Sequence, residues 1–204
     1  MRVVSATADV LPSWSVRMLI EAVPSISSKP QGFAGYHAIP IGFYWPGQGG
    51  IYAGSIRGSC SSYHLIVPLY GQAEFAPCQW EHDTPLAASP DDGRANTRAM
   101  LANGHALAKQ VSALEIDGHR DFYIPAKREL ALCEINLAHL FQATQYWSST
   151  QCGRDYAWAL SFDSGTLNDW PKKLEFHAKA VRRINYTCLA KHRIETKRNI
   201  AYEG

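Results

Sequence analysis

Apolar and polar residues recur along this chain with two different periods, and the period switches in a definite order. Gly50-Ile51-Tyr52-Ala53-Gly54-Ser55-Ile56 and Tyr63-His64-Leu65-Ile66-Val67 are dense in β-formers and predict neighbouring strands, the second ended by Pro68. Glu81 to Gly93 carries Pro85, Pro90 and an Asp-Asp-Gly turn, which predicts a loop. The spacing then turns helical. Leu101, His105, Ala108, Val111 and Leu114 predict one amphipathic helix with Asn96 as its N-cap, and Gly104 is a weak point within it. Asp117-Gly118-His119 turns the chain. Phe122-Tyr123-Ile124-Pro125 then predicts a short strand leading into a second helix, about Lys127 to Phe141, striped by Leu130, Cys133, Leu137 and Phe141. Strand spacing returns at Tyr146 to Thr150 and at Tyr156 to Phe162. There Tyr156, Trp158, Leu160 and Phe162 share one face, with Trp158 assigned to the core, and Ala157, Ala159 and Ser161 share the other. A turn at Asp163-Ser164-Gly165, a loop from Thr166 to Phe176 and a strand from His177 to Ile184 complete the pattern.

The first 45 residues do not follow it. A short apolar set, Trp14, Val16, Leu19, Ile20 and Val23, gives way to Pro24, Pro30, Gly32, Gly35 and Pro40. Residues 1–45 are read as an arm or attachment segment or, equally, as the first hairpin of the domain, 46–187 as the domain, and 188–204 as a basic tail with Lys191, His192, Arg193, Lys197 and Arg198. An arm that reaches a neighbour favours a closed homo-oligomer, with a trimer as first expectation. Composition narrows the function classes. With 46% hydrophobic and 19% charged residues the main body is globular. A net charge of +2 excludes a general nucleic-acid binder, which needs clustered positive charge against phosphates. The N-terminus lacks the apolar run of a signal peptide, and no stretch is long enough to span a membrane, so synthesis in a cytoplasm is expected.

No catalytic constellation is visible. The eight histidines are scattered, and no H-E-x-x-H, G-x-S-x-G or phosphate-loop motif is present, so no enzyme activity, cofactor or metal is expected. Glu81-His82-Asp83 holds metal-ligand types, but adjacent residues rarely converge on one ion, and a solvated loop is the simpler reading. Leu167-Asn168-Asp169-Trp170 offers too few oxygens for calcium. The five cysteines are widely spaced with no C-x-x-C pair, which fits buried free thiols better than zinc.

The ordered pieces Phe122-Tyr123-Ile124-Pro125, Arg128-Glu129-Leu130, Leu140-Phe141, Tyr146-Trp147-Ser148-Ser149-Thr150, Ala157-Trp158, Phe162 and Val181-Arg182-Arg183-Ile184 together resemble the Lcl-type C-terminal domain of bacterial surface, phage and prophage proteins. Upstream, Gly49-Gly50-Ile51-Tyr52-Ala53-Gly54, Tyr63 to Val67 and Asp92-Gly93-Arg94-Ala95-Asn96-Thr97 are similar to phage members, so the resemblance spans Gly47 to Asn185. It implies an α+β, C-type-lectin-like domain: two helices packed on small antiparallel sheets, with the N-terminal arm outside. The family usually places Ser or Thr three residues before Glu129, forming a capping box; here the position is Ala126, and serine there is expected to stabilise the helix start. In function the resemblance implies a non-enzymatic virion protein, a tail-tip or fibre-associated module contacting a host receptor or glycan, or other virion proteins. Capsid decoration and a bacterial surface adhesin are the alternatives. The expected contact surface is Arg154, Tyr156, Asp163, Asn168, Asp169, Trp170 and Lys172, with Trp170 exposed in its loop as the anchor.

Overall fold

A computed structural model of the chain describes residues 39–57 and 62–185. The apolar set proposed for the arm, the basic tail, Cys60 and Cys188 lie outside the described residues. Within them the fold is α+β. The strands are β1 (Tyr44–Trp45), β2 (Gly50–Arg57), β3 (Ser62–Val67), β4 (Glu74–Cys78), β5 (Gln145–Gln151), β6 (Tyr156–Ser161), β7 (Leu167–Pro171), β8 (Phe176–Lys179) and β9 (Arg182–Asn185). The helices are α1 (Gly93–Ala102), α2 (Ala106–Ser112) and α3 (Lys127–Leu137), the last running into a 3-10 turn at Ala138–Leu140. One sheet has the order β1-β2-β3-β9 and is antiparallel throughout. The other has the order β4-β8-β5-β6-β7, with β5 and β8 parallel and its other neighbours antiparallel. No helix among the described residues is long and apolar enough to cross a membrane.

Several expectations are corrected. The single helix expected after Asn96 is two helices. Gly104 adopts φ +88°, a left-handed conformation that suits glycine, and the chain restarts at Ala106. Asp92, not Asn96, caps α1, accepting from Ala95 N at 3.0 Å. Asn96 is fully buried inside α1, where its amide group pairs with both backbone groups of Ser89. The supposed loop from Thr166 contains β7, which forms a hairpin with β6. The supposed last strand is two strands in different sheets. The chain crosses between them in two fully buried residues, Ala180 and Val181. Tyr44 and Trp45, placed in the arm by sequence, form the edge strand beside β2.

Two apolar cores follow from this topology. In one, Leu130, Cys133, Leu137 and Phe141, the stripe expected on α3, pack with Leu65 and Val67 of β3, and with Tyr146 and Leu160. In the other, Met100, Leu107 and Val111 of α1 and α2 pack with Trp147, Ala157, Ala159 and Ala178. Strands β5 and β6 therefore run between helices; β5 is buried on both faces, β6 on the face of Ala157 and Ala159 and at Leu160. Trp147 sits opposite Ala159 in the register, a large ring against a methyl group, which lets the helices approach. Of the aromatic face expected on β6, only Leu160 is fully buried. Trp158 is half-buried under the Lys127 ammonium, 3.7 Å from its ring centroid, rather than a core residue.

Glu129 joins the first sheet, the segment before α3 and the starts of two helices. Its side chain is fully buried. It accepts hydrogen bonds from Tyr63 Oη (2.6 Å), Tyr123 Oη (2.7 Å), Ala126 N (2.7 Å) and Gly93 N (3.1 Å). The Arg183 guanidinium lies over the Tyr63 ring at 5.0 Å. Burial is the largest influence on this carboxyl and pushes its pKa up to about 7; the hydrogen bonds and Arg183 pull the other way. The helix start needs no serine. Lys127 N donates to Thr150 Oγ1 and Arg128 N to the Pro90 carbonyl, both at 3.0 Å, so distant residues supply the caps expected at position 126. Gly93 is required by contact: a Cβ there would lie 2.5 Å from Ala126 N and 2.6 Å from Ile124 O. Across the outer surface, Asp121 accepts from Arg94 at 3.1 Å and from Arg182 at 2.5 Å, and Arg182 also reaches Gln48, 134 residues earlier, at 2.9 Å.

Gly93→Ala should lower stability by about 1–3 kcal/mol, as overpacking does in a closed core, measured by urea denaturation. Tyr123→Phe removes one donor to Glu129. That raises the carboxyl pKa in the folded state further above its unfolded value, so the added loss is felt where Glu129 is ionised. The variant should lose about 1.5–3 kcal/mol near pH 8 and clearly less near pH 5, where the carboxyl is protonated. An equal loss at both values would mean that Glu129 is not the partner through which Tyr123 acts.

Candidate functional site

The two loops that flank the β5–β6–β7 end of the second sheet would fray without a common tether, because each is polar and short of apolar contacts. Lys172, directly after β7, is that tether. It is only 8% exposed. Its ammonium donates to Gln151 Oε1 (2.7 Å), Arg154 O (2.8 Å) and His82 O (3.4 Å), and its nearest carboxylate, Asp83, is 4.0 Å away. One buried cation thus pins the 81–83 segment, the β5–β6 turn and the end of β7. Burial pushes its pKa down, while Asp83 and Asp155 oppose that shift. The backbone repeats the same ties: Trp80 N donates to Lys172 O, and Lys172 N to Asp155 O. Gln151 Nε2 fixes Asp83 at 2.7 Å, and Gln151 Oε1 also accepts from Thr84 N at 2.6 Å.

These ties frame a cleft of ≈ 590 Å³. Its walls are Glu81, His82 and Asp83 on one side and Arg154, Asp155 and Tyr156 on the other, with Pro171, Lys172 and Lys173 between. Tyr156 is 46% exposed. Beneath it, His105 is buried between the Trp80 and His82 rings and bonds Thr84 Oγ1 at 2.8 Å. Burial pushes the pKa of His105 down to about 4, helped by His82 and Lys172, so it stays neutral at ordinary pH. Glu81 holds its carboxylate by one oxygen, which accepts from Ala106 N at 2.5 Å, at the start of α2.

The seven residues expected at the contact surface are distributed unevenly. Arg154, Tyr156 and Lys172 come together in the cleft, but Lys172 is buried structure rather than an exposed contact. Asp163 lies at the far turn of the β6–β7 hairpin. Asn168, Asp169 and Trp170 lie along edge strand β7. Trp170 is 36% exposed and pairs with Ala157, on the strand face opposite to Tyr156; its ring meets Phe176 edge-on at 5.8 Å. Sequence reasoning set aside Glu81-His82-Asp83, which forms one whole wall. The signal available was Trp80, a large ring beside polar residues in a loop.

The described cysteines are free, as expected, but not all of them are buried. Cys133 is buried, Cys78 is half-buried and Cys152 is exposed. No group of three or more His, Cys, Asp or Glu side chains among the described residues is arranged to hold a metal ion. No family model and no curated protein matches the chain.

Lys172→Met keeps the length of the side chain and removes its charge. It removes one donor each from Gln151 Oε1, Arg154 O and His82 O and unties the three segments, so stability should fall by about 1–3 kcal/mol. Amide exchange should quicken first at residues 81–83 and 152–155, ahead of the core strands, in a hydrogen-exchange comparison with the wild type.

Proposed function

We propose that this chain is a non-enzymatic recognition module of a bacteriophage particle, built on a C-type-lectin-like domain and placed at the tail tip or a fibre. The cleft would contact the host surface or a neighbouring virion protein. The observation that carries the binding role is a concave, mixed-polarity cleft with a half-exposed Tyr156 and an exposed Arg154 at its mouth, since Tyr and Arg recur as interface anchors and Tyr brings a large area with few rotors to freeze. The strongly perturbed groups support a binding module over an enzyme. Glu129, Tyr63 and Tyr123 bond one another in the interior, and His105 is engaged with Thr84, so none is poised toward the cleft as an acid or base.

The virion assignment rests on the ordered resemblance from Gly47 to Asn185. The lectin-like assignment is supported by the α+β layout, in which α1 and α3 flank β5 and β6 and the last strand returns beside β3. A capsid decoration protein would have the same layout and differ in where on the particle it sits.

Gold-labelled antibody to the chain, applied to purified particles, should mark the tail end. Label on the shell would favour capsid decoration, and unlabelled particles would refute a virion role. Tyr156→Ala should weaken attachment of the purified protein to host cells tenfold or more, about 1.4 kcal/mol or above, with an unchanged melting curve. Trp170→Ala, outside the cleft, should leave attachment near wild type while lowering the melting temperature slightly through its lost contact with Phe176. The opposite pattern would move the contact surface to the face of β7. Chelator should leave the melting temperature unchanged, whereas a bound structural ion would make it fall.

A further inference from the structure

We infer that the cleft recognises a bipolar peptide, one that brings a basic side chain to the Glu81–Asp83 wall and a carboxylate to Arg154 and Lys173; this rests on the recognition role proposed above and names the partner chemistry of the same site. The charges around the opening select it. Glu81, Arg154, Asp155 and Lys173 all line the cleft, all are exposed, and among the described residues none of them is in an ion pair. Asp83 has no cation nearer than the Lys172 ammonium at 4.0 Å, which is already held by Gln151, Arg154 O and His82 O. Acids and bases thus share one opening without neutralising one another. A free anion would meet three carboxylates, and a free cation would meet Arg154 and Lys173. A neutral ligand would strip water from all of these charges and return none. A ligand with one charge of each sign gives each wall its partner.

The acidic wall is already aimed. Asp83 is fixed through Gln151, and Glu81 through Ala106 N at the start of α2, so ordering these acceptors costs the complex little. Lys172 ties the 81–83 segment to the β5–β6 turn, so the spacing between the two walls is set before the ligand arrives. A peptide suits that spacing. In an extended chain, residues two apart project to the same side about 7 Å from each other, so a basic and an acidic residue in those positions can address opposite walls together. A free amino acid carries both charges on a single carbon and is small for a cleft of ≈ 590 Å³. Tyr156, half-exposed at the mouth, supplies a ring on which the aliphatic stem or the charged head of a lysine or arginine packs.

The test is a set of amide NMR titrations of the full chain. The probes are acetylated, amidated Lys-Ala-Glu and Glu-Ala-Lys, and their singly charged analogues with glutamine in place of Lys or of Glu. Phosphocholine serves as a zwitterion without a peptide, and methyl glucoside as a neutral ligand. At least one bipolar peptide should move the amides of 81–83, 154–156 and 173 saturably, and each singly charged analogue should bind about tenfold more weakly or worse. Glu81→Gln, which still accepts from Ala106 N, should weaken the bipolar peptide several-fold and leave the analogue that lacks Lys unchanged. Lys173→Gln should weaken it likewise and leave the analogue that lacks Glu unchanged. Equal binding of the singly charged analogues overturns the proposal, as does tighter binding of phosphocholine or the glucoside. Shifts that fall elsewhere, or no saturable shift at millimolar peptide, overturn it too. Attachment of the protein to host cells separates the two levels. Attachment lost in Tyr156→Ala but indifferent to Lys173→Gln and to added bipolar peptide retains the recognition role and removes this ligand. Attachment indifferent to all three removes both.

Discussion

A carboxylate with no water around it has to be surrounded by donors, and the interior of this protein is arranged about that requirement at Glu129. The four donors come from β3, the segment before α3, the start of α1 and the start of α3 itself. No one of these elements contributes enough to fix the others, but together they define where the first sheet, the two helix starts and the Tyr123 bridge to Val181 must meet. Leaving a charge of this kind half-satisfied costs more than omitting it, so the four contacts behave as one unit. The close packing of Gly93 against Ala126 and Ile124 follows from the same point: the α1 backbone must come near enough to donate.

Lys172 solves the converse problem at the molecular surface. A cation held by carbonyls and an amide, rather than by a close carboxylate, leaves the neighbouring acids to face the cleft. The fold thus gives these two buried ionisable groups different tasks. Glu129 sets the relation between the first sheet and the helix starts, and Lys172 sets the shape of the opening where recognition is proposed. The exposed groups at the mouth, Arg154, Asp155, Tyr156 and Lys173, carry little of the fold and are free to vary in chemistry.

Much of this architecture was legible where local pattern and final environment agree. The α3 stripe follows from its periodicity and strands β2, β3 and β5 from their β-forming residues, while β6 forms where its alternation marks it but fully buries Ala157 and Ala159 rather than its aromatic face. Strand β7 was not legible, since Leu-Asn-Asp-Trp-Pro is a polar edge whose pairing comes from β6 rather than from its own composition. Strand β4 was hidden by Pro77, which an edge strand tolerates at a bulge. Glu129 appeared only as a helix-start acid, because its tyrosine partners lie 66 and 6 residues away and no spacing rule links them. Lys172 was placed at the surface for the ordinary reason that lysines seldom lose their water. Half of the cleft, Arg154 and Tyr156, was anticipated, and the facing wall from Glu81 to Asp83 was not, because it is joined to the first half through Lys172 and Gln151, which no spacing rule links to it.

The two-residue passage from β8 to β9 has a consequence for how the chain assembles. Strand β9 pairs with β3, and Arg182 closes on Gln48 across 134 residues, so the first sheet cannot be completed until nearly the whole domain has been synthesised. Closing a loop of that length must be paid for in chain entropy before its contacts return any stability. A ribosome-bound fragment ending before Ala180 would hold β3 with an open edge, exposed to pairing with another chain. The domain is therefore built to fold late and all at once, and its aggregation risk lies in the interval before β9 pairs with β3.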